Sequence, residues 1–394
     1  MVMFSIMMII VAYPSLNSVG GGQRLCLHAI KALKRRGFKV CVATLDKTDW
    51  NFLSRVFGES FKPDCEYYLF SRMPKFPTLT LRQGFVALFY ALELLLICLR
   101  RRRDLLVNMG GEVLDSIGDI VYVNAVPLRL MHVYSDIQPK PGAVWKCYSR
   151  LYSLLVKVLK TRGSVVVCNS RFNQRIVRKH LGLQSIVVYP PVNVREIGLM
   201  VKNAALREDF VVTVSRFRLA KRLEVVPEIA KFVGKGRFIV IGSADVDSVD
   251  CINRIGEEAR KLGVEERVHV LLNKPFSVVL ENLVRAKVYL HTQPTEAFGM
   301  SVVEAMAAGC VPVVPRCGGP WFDILDCRQG VYGFSYRSVE EAAEIIGRLL
   351  EDDVLRERVA VRARERARVF DGSVFEGKIL DLVDKVFRAK FGRD

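Results

Sequence analysis

The sequence predicts an α/β protein with two Rossmann-like domains. Its 394 residues exceed one ordinary hydrophobic core and suit two domains of roughly 150 to 200 residues each. Short apolar runs alternate with turns and amphipathic segments along the whole chain, a pattern typical of parallel sheets whose strands are joined by helices. Pro190-Pro191 interrupts that alternation near the middle of the chain, so we expect a domain boundary there.

The N-terminal domain is predicted to span residues 1–192. Its first strand covers the apolar residues 4–13, and a glycine-rich turn at 20–22 then leads into a helix that ends near Arg36. The first thirteen residues lack a basic leader and a small-residue cleavage site, so a strand is favoured over a signal peptide. Further strands are expected at 38–45, 118–124 and 163–168.

The C-terminal domain is predicted to span residues 205–372 and to repeat the same alternation. Residues 373–394 have helical periodicity, and we expect this last helix to pack back on the N-terminal domain. Helices are also expected over 338–370. The strands of this domain are expected at 209–216, 237–242, 267–272, 286–292 and 310–315.

The formal net charge of +18 is concentrated in the first half of the chain. Residues 1–190 hold 27 of the 59 Lys and Arg residues but only 11 of the 41 Asp and Glu residues, which gives that half +16. Such a surface either serves solubility alone or attracts an anionic partner, such as lipid headgroups, a phosphorylated substrate or nucleic acid. We expect no nucleic acid, because no stacking aromatics or groove-reading element accompany the charge.

Two segments of this basic half suit a membrane surface. Residues 85–99 are apolar except for Glu93, and Arg100 follows them. This run of fifteen residues is shorter than the ~20 needed to span a bilayer. Residues 145–160 form a basic amphipathic pattern with aromatic side chains on one face. The first segment is a buried, an interfacial or a spanning helix, and its length disfavours spanning; the second is a half-buried or an interfacial helix. We expect a cytoplasmic protein that associates peripherally with an anionic membrane.

Ten cysteines are scattered along the chain, and none forms a Cys-x-x-Cys motif. Without metal-binding spacing or a secretion signal, they are expected to be reduced and buried, as in a cytoplasmic protein. Asp245-Val246-Asp247 matches the Asp-x-Asp of metal-dependent transferases. It follows a predicted strand in a surface loop, however, and we expect no metal there.

The most informative stretch of the sequence is residues 293–320. Glu296 and Glu304 flank Phe298-Gly299-Met300-Ser301, which is predicted to open a helix after a strand. A helix N-terminus offers unpaired backbone N–H groups and a positive dipole end, so it can bind phosphate or a polarised hydroxyl, and Gly299 removes the side chain that would block the approach. Glu304, further along the helix, suits hydrogen bonds from a ribose.

Two further elements suit a diphosphate. Arg216 and Lys221 follow the first strand of the second domain, at the edge where open α/β sheets bind ligands, whereas Arg218 and Arg222 are expected to be solvated. Arginine grips phosphate through two N–H groups, and lysine adds a point charge. The glycines at 20–22 form either a simple tight turn or a loop whose backbone faces the diphosphate.

Together these motifs resemble the retaining family-4 glycosyltransferases of GT-B fold, whose two Rossmann-like domains face each other across a cleft. Within that family the similarity is closest to the dolichol-pathway GDP-mannose α-1,2-mannosyltransferases. The resemblance implies transfer of a hexose, with mannose from GDP-mannose favoured, to a glycan or polyprenyl-linked acceptor without a metal or other cofactor. It extends over nearly the whole chain, in stretches such as SVGGGQRLCLHAIKAL, VVVCNSRFNQRIV, VSRFRLAKR and HTQPTEAFGMSVVEAMAAG.

The resemblance also implies a role for each matching position. Arg216 and Lys221 would hold the diphosphate, and Glu296 would contact the donor sugar as a catalytic residue. The remaining implied donor contacts are Glu304 with the ribose, Asn273 with the base, the backbone of Phe298, Gly299, Met300 and Ser301 with sugar and phosphate, and Gly21 and Gly22 along the donor cleft.

Two positions depart from the family pattern. Gln23 stands where the glycine loop usually continues with Glu, and Asn124 stands where the relatives carry an active-site His. An Asn side chain can hydrogen-bond a sugar hydroxyl or the departing oxygen but cannot exchange a proton near pH 7, so Asn124 is a candidate catalytic residue with an altered role. His132, eight residues further on, is either structural or a substitute.

Other interpretations use some of the same residues. Glu296 and Glu304 could form the acid and nucleophile of a glycosidase, although the phosphate-type elements beside them argue against it. A transferase that uses a UDP-sugar on another acceptor, or a sugar-nucleotide epimerase or hydrolase, would keep the donor elements. A basic nucleic-acid-binding protein is the alternative from a different class.

Overall fold

A computed structural model of the chain describes residues 8–57, 62–76, 79–101, 103–113, 117–127, 130, 150, 163–201 and 207–392. The chain divides into two compact units, each with its own parallel sheet. Unit 1 consists of residues 1–191 together with 373–394, and unit 2 consists of residues 192–372. His132 and, apart from Arg150, the basic amphipathic segment 145–160 lie outside the described residues.

Unit 1 contains a seven-stranded sheet in the order β3-β2-β1-β4-β5-β6-β7. Its central strands are almost continuous runs of buried aliphatic residues, as expected of a parallel sheet with both faces covered. The strands are β1 (Met8–Ala12), β2 (Lys39–Asp46), β3 (Cys65–Phe70), β4 (Leu105–Asn108), β5 (Ile120–Val123), β6 (Val165–Cys168) and β7 (Ile186–Val187).

Amphipathic helices cover this sheet. Local signals fix some of their ends: Ser170 caps one helix by accepting the N–H of Asn173 at 2.9 Å, and Gly182 ends that helix in the left-handed conformation. The described helices before residue 190 are α1 (Gly21–Arg35), α2 (Trp50–Phe57), α3 (Leu79–Arg100) and α4 (Arg171–Leu181).

Unit 2 contains a six-stranded parallel sheet in the order β10-β9-β8-β11-β12-β13. Its strands are β8 (Glu208–Val214), β9 (Arg237–Gly242), β10 (Val268–Leu272), β11 (Ala286–Leu290), β12 (Val311–Pro315) and β13 (Phe334–Tyr336). Its helices are α5 (Val194–Val201), α6 (Val225–Val233), α7 (Val249–Leu262), α8 (Phe276–Arg285), α9 (Met300–Ala307), α10 (Val339–Glu351) and α11 (Asp353–Ala367).

The last helix, α12 (Gly372–Phe391), packs in unit 1. Phe375, Ile379 and Val383 are buried in the same core as β1 and α1. Glu376 on α12 lies 2.9 Å from His28 Nδ1 on α1. The C-terminal segment is therefore part of the unit that contains the start of the chain.

In both sheets the order in which the chain adds strands changes direction beside the first strand. In unit 1 the chain builds outward from β1 on one side and from β4 on the other, and in unit 2 it does so from β8 and β11. The loops that leave two such neighbouring strands diverge, which opens a crevice at the carboxyl ends of the strands, where open α/β sheets bind their ligands. Each unit thus has one such crevice, between β1 and β4 or between β8 and β11.

A disulfide joins Cys41 in β2 to Cys65 in β3. The two residues lie directly opposite each other in the sheet, with Cα atoms 4.6 Å apart, although 24 residues separate them in sequence. The prediction of reduced thiols is therefore wrong for this pair, because spacing along the chain does not reveal which residues face each other across two strands. The other seven described cysteines are free.

Candidate active site

The predicted cation and glutamate of unit 2 meet at its crevice. Lys221 ends a 3₁₀ turn that follows β8, and Glu296 lies in the loop after β11. Lys221 Nζ donates to Glu296 Oε2 at 2.5 Å, and only 19% and 20% of the two side chains are exposed. Thr292 Oγ1 also donates to the Lys221 carbonyl at 2.6 Å, so the two loops hold each other in place.

Glu296 is ionised although it is largely covered. Burial alone would raise the pKa of its carboxyl, but the charges of Lys221 and Arg216 hold that pKa below the ordinary 4.5. A carboxylate that accepts one hydrogen bond from lysine still has lone pairs for hydroxyl donors. The pair therefore presents a hydroxyl-binding carboxylate next to a phosphate-binding cation.

Arg216 and Arg218, two residues apart, have different environments. Arg216 is exposed, and its charge reaches Glu296. Arg218 instead donates through both terminal nitrogens to the Asp245 carboxylate at 2.5 Å, and Asp245 also caps the following turn by accepting the N–H of Asp247. The prediction that Arg218 is solvated is therefore wrong, because a partner 27 residues away neutralises it.

The start of α9 lies against the Glu296 loop. Gly299 caps the helix in the left-handed conformation, with φ 96° and ψ 63°, which favours glycine. Gly318 also has a positive φ of 74°, and a Cβ there would lie 2.6 Å from the Pro294 carbonyl oxygen. The N–H of Gly319 donates to the Glu296 carbonyl at 2.8 Å, so these glycines allow the close contact that positions Glu296.

The remaining residues of this stretch differ in their exposure and in their contacts. Phe298 is 2% exposed and stacks edge-on with Phe370, so only its backbone is available to a ligand. Ser301 Oγ lies 2.8 Å from the Tyr289 hydroxyl. Met300 is the first residue of α9, and Glu304 is only 5% exposed on that helix. The ribose contact of Glu304 remains a prediction, but the residue does not face bulk solvent.

Asn273 ends its strand in the left-handed conformation, with φ 51°. Its Oδ1 accepts the N–H of Ala244 at 2.8 Å, and its Nδ2 donates to the Ala244 carbonyl at 3.1 Å. The side chain thus braces the loop after β9. Its predicted position beside a base is untested.

Unit 1 brings three predicted positions to its own crevice. Gly21 and Gly22 are the first residues of α1, and Asn124 follows β5. A Cβ on Gly22 would overlap the Tyr13 hydroxyl and lie 3.0 Å from Asn124 Nδ2, so the glycine allows these polar groups to approach the helix start. The side chains of Tyr13 and Asn124 are both partly exposed.

Sequence reasoning missed two polar residues of the unit 2 crevice. His291, directly after β11, is 5% exposed, and within the part of the chain that the structure describes its Nε2 has no hydrogen-bond partner. Burial lowers the pKa of His291 to about 4, so the ring is neutral near pH 7. Gln293 Oε1 is likewise buried without a described partner. The available signal was their position, between a buried strand and Glu296.

A model of a known family matches most of the second half of the chain. The family model described as glycosyl transferases group 1 matches residues 199–366. The chain is also similar to the GDP-Man:Man(3)GlcNAc(2)-PP-Dol alpha-1,2-mannosyltransferase of Homo sapiens, with 30% identity over 259 residues that cover 61% of this chain and 52% of that protein. The Dictyostelium discoideum protein of the same name is 26% identical over 260 residues, 60% of this chain and 50% of that protein. The chain thus spans about half the length of these relatives.

Solved structures share the fold over nearly the whole chain. WaaG, a glycosyltransferase involved in lipopolysaccharide biosynthesis, has a TM-score of 0.68 and 18% identity, covering 95% of this chain and 99% of that one. Sucrose-phosphate synthase from Thermosynechococcus elongatus has a TM-score of 0.75 and 16% identity, covering 97% and 100%. These similarities confirm the predicted GT-B fold class, with two parallel-sheet Rossmann-like domains.

Proposed function

Because residues 199–366 match the glycosyl transferases group 1 family, we propose that the chain transfers mannose from GDP-mannose to a lipid-linked glycan. The observation that carries the proposal is the Lys221–Glu296 pair at the crevice of unit 2, with exposed Arg216 nearby. The choice of donor and acceptor follows the names of the relatives, which contain GDP-Man and a PP-Dol-linked glycan.

The charges of this crevice complement a nucleoside-diphosphate sugar. Such a donor has an anionic diphosphate joined to a neutral, hydroxyl-rich sugar. Arg216 and Lys221 suit the diphosphate, and the ionised Glu296 suits the sugar hydroxyls. A glycosidase acid must instead be protonated near neutral pH, which the lowered pKa of Glu296 disfavours.

In the proposed reaction the sugar keeps its anomeric configuration. The bond between the anomeric carbon and the diphosphate oxygen breaks with its electron pair going to the diphosphate, whose charge Arg216, Lys221 and the backbone N–H groups of α9 stabilise. The acceptor oxygen forms the new bond on the same face of the sugar. The departing phosphate takes the acceptor proton, a route that does not require a basic side chain at Asn124.

The acceptor proposal includes a membrane surface. The stretch Leu81–Arg100 of α3 is long and apolar enough to cross a bilayer by length and composition alone, and one third of it is buried. Leu81, Leu88, Leu92 and Leu99 are about half exposed and lie on one face of the helix. Because basic residues follow this face at Arg100 and Arg101, we assign α3 to peripheral docking on an anionic membrane.

A thermal-shift panel followed by transfer assays tests the donor site. GDP should raise the melting temperature more than UDP or ADP, because the names of the relatives contain GDP-Man. A ligand at a hundred times its dissociation constant stabilises the folded chain by about 2.7 kcal/mol. Mannose transfer from GDP-mannose to a polyprenyl-diphosphate oligosaccharide should follow.

Glu296→Ala should abolish that transfer, and its matched control is Glu257→Ala, at an exposed glutamate on α7. Full activity of the Glu296 variant would rule out its assigned role. A chain that no nucleoside diphosphate stabilises would contradict the proposal as a whole.

A further inference from the structure

A second carboxylate, Glu112, lies at the crevice of unit 1 and is not used in the reaction proposed above. It follows β4 by four residues, after Gly110 and Gly111. The N–H of Gly111 donates to the Tyr122 carbonyl at 2.9 Å, and a Cβ on Gly111 would lie 2.5 Å from that oxygen. The glycine therefore lets the loop lie directly on β5, which brings Glu112 beside Asn124.

The Glu112 carboxyl is only partly satisfied. Against the larger effect of burial, the backbone N–H groups of Glu112 itself and of Asn124 are near enough to lower the pKa of this carboxyl. Its Oε2 is buried and has no partner among the described residues. Burial raises the pKa of Glu112 from the ordinary 4.5 to about 7. A buried carboxyl oxygen without a partner is costly, so a hydroxyl that reaches this atom from the crevice supplies a hydrogen bond that the described residues do not.

The neighbours of Glu112 define the chemistry of that ligand. The groups whose pKa the Glu112 charge raises are Cys26, Tyr90 and Tyr122, and only backbone N–H groups lower the pKa of Glu112 itself. A carboxylate with no cation beside it in the described chain repels phosphate. It binds a hydroxyl, which can donate to the ionised form and accept from the protonated form.

The surrounding residues add further polar groups. The Tyr13 hydroxyl and the Asn124 amide both approach Gly22 at the start of α1, and both side chains are partly exposed. The loops after β1, β4 and β5 thus converge with polar groups at one edge of the unit 1 sheet, at its topological switch point. Such a set of hydroxyl, amide and carboxyl groups is typical of a site for a sugar.

We infer that Glu112 is an acceptor-binding residue, whose Oε2 accepts a hydrogen bond from a hydroxyl of the glycan acceptor. This inference rests on the proposed function and adds a residue to its acceptor side. It also gives a role to Asn124, the residue that replaces the family's histidine: the backbone N–H of Asn124 positions the Glu112 carboxyl.

The test is Glu112→Gln in the full chain, with mannose transfer measured from GDP-mannose to a synthetic polyprenyl-diphosphate oligosaccharide. The acceptor KM should rise at least about tenfold, since hydrogen bonds to charged groups are worth about 1.5–3 kcal/mol. The melting-temperature shift with GDP should match that of the wild type. Glu112→Asp keeps the charge on a shorter side chain and should give an intermediate KM.

The matched control is Glu93→Gln, which changes another buried carboxyl of unit 1 whose two oxygens have no described partner. It should leave the acceptor KM unchanged. An unchanged KM in Glu112→Gln, or an equal rise in both variants, would overturn the assignment while the proposed function stands. If the wild type neither responds to GDP nor transfers mannose, the proposed function fails, and the acceptor role of Glu112 fails with it.

Discussion

At the residue scale, the arginines of unit 2 are distinguished by their partners rather than by their type. Arg218 is neutralised by two hydrogen bonds to Asp245, whereas Arg216 is exposed near the Lys221–Glu296 pair. Of these two arginines, Arg216 is therefore the one available to an incoming diphosphate. Sequence reasoning placed Arg216 at the donor site, which stays a prediction, but could not identify the partner of Arg218, because the loop that holds Asp245 follows the next strand.

This difference predicts opposite outcomes for two matched substitutions. Arg216→Ala should weaken GDP binding on the order of tenfold, because a charge-assisted contact to phosphate is lost. Arg218→Ala should leave GDP affinity within about twofold and lower stability by no more than about 1 kcal/mol, since the ion pair is partly exposed. Isothermal titration calorimetry and urea unfolding measure the two effects. Equal losses of GDP affinity in both variants would contradict the assignment.

At the element scale, α3 shows how one buried carboxyl group changes the behaviour of an apolar helix. Glu93 is 3% exposed, and neither of its carboxyl oxygens has a partner among the described residues. Burial, together with the nearby Asp46 charge, raises the pKa of Glu93 to about 8. The position of the helix was predictable from its apolar run, but the depth at which Glu93 is buried depends on how the helix packs on the sheet.

The raised pKa predicts a stability that falls as pH rises. The folded chain holds the Glu93 proton up to about pH 8, whereas the unfolded chain releases it near the ordinary pKa of 4.5. Between those values the free energy of unfolding should fall by up to about 1.4 kcal/mol per pH unit from this group. Glu93→Gln should remove that slope and stabilise the chain at pH 8, as measured by urea unfolding. The exposed Glu257→Gln should not, and a Glu93 variant with the wild-type slope would refute the account.

The beginning of α9 illustrates an element whose local structure could be predicted from sequence. The helix start is defined by residues that lie within ten positions of each other in sequence, namely Gly299, the residues after it and the two flanking glutamates. A local sequence pattern is therefore enough to predict it. The tertiary structure adds the second loop, in which Gly318 and Gly319 lie against the backbone carbonyl of Glu296. It also adds Lys221, which is 75 residues from Glu296 in sequence.

At the scale of the whole molecule, charge and apolar surface occur in the same unit. Residues 1–190 carry nearly all of the excess positive charge, and the half-exposed leucines of α3 belong to that unit. An apolar helix face next to basic residues suits a surface of anionic lipid. The proposed donor site lies in the nearly neutral unit 2, so membrane contact and donor binding should be separable by mutation.

Leu88→Glu combined with Leu92→Glu should therefore weaken binding to vesicles of anionic phospholipid by at least about tenfold, because two leucines lose their apolar contact and two charges repel the headgroups. The melting-temperature shift with GDP should not change. Leu199→Glu, at an exposed leucine of α5 in unit 2, is the matched control and should bind vesicles as the wild type does. Vesicle sedimentation at low and high salt measures the effect. Unchanged binding of the double variant would exclude α3 as the docking face.

The sequence by itself determined the two Rossmann-like sheets, the glycine-capped start of α9 and the types of residue at the candidate donor site. These follow from interactions within a few positions: hydrophobic periodicity, turn residues and helix caps. Only the tertiary structure decided that Lys221 pairs with Glu296, that Cys41 bonds Cys65, and that Glu112 Oε2 is buried beside Asn124. Such contacts depend on sheet register and on loops that meet from distant parts of the chain, and a linear pattern contains neither.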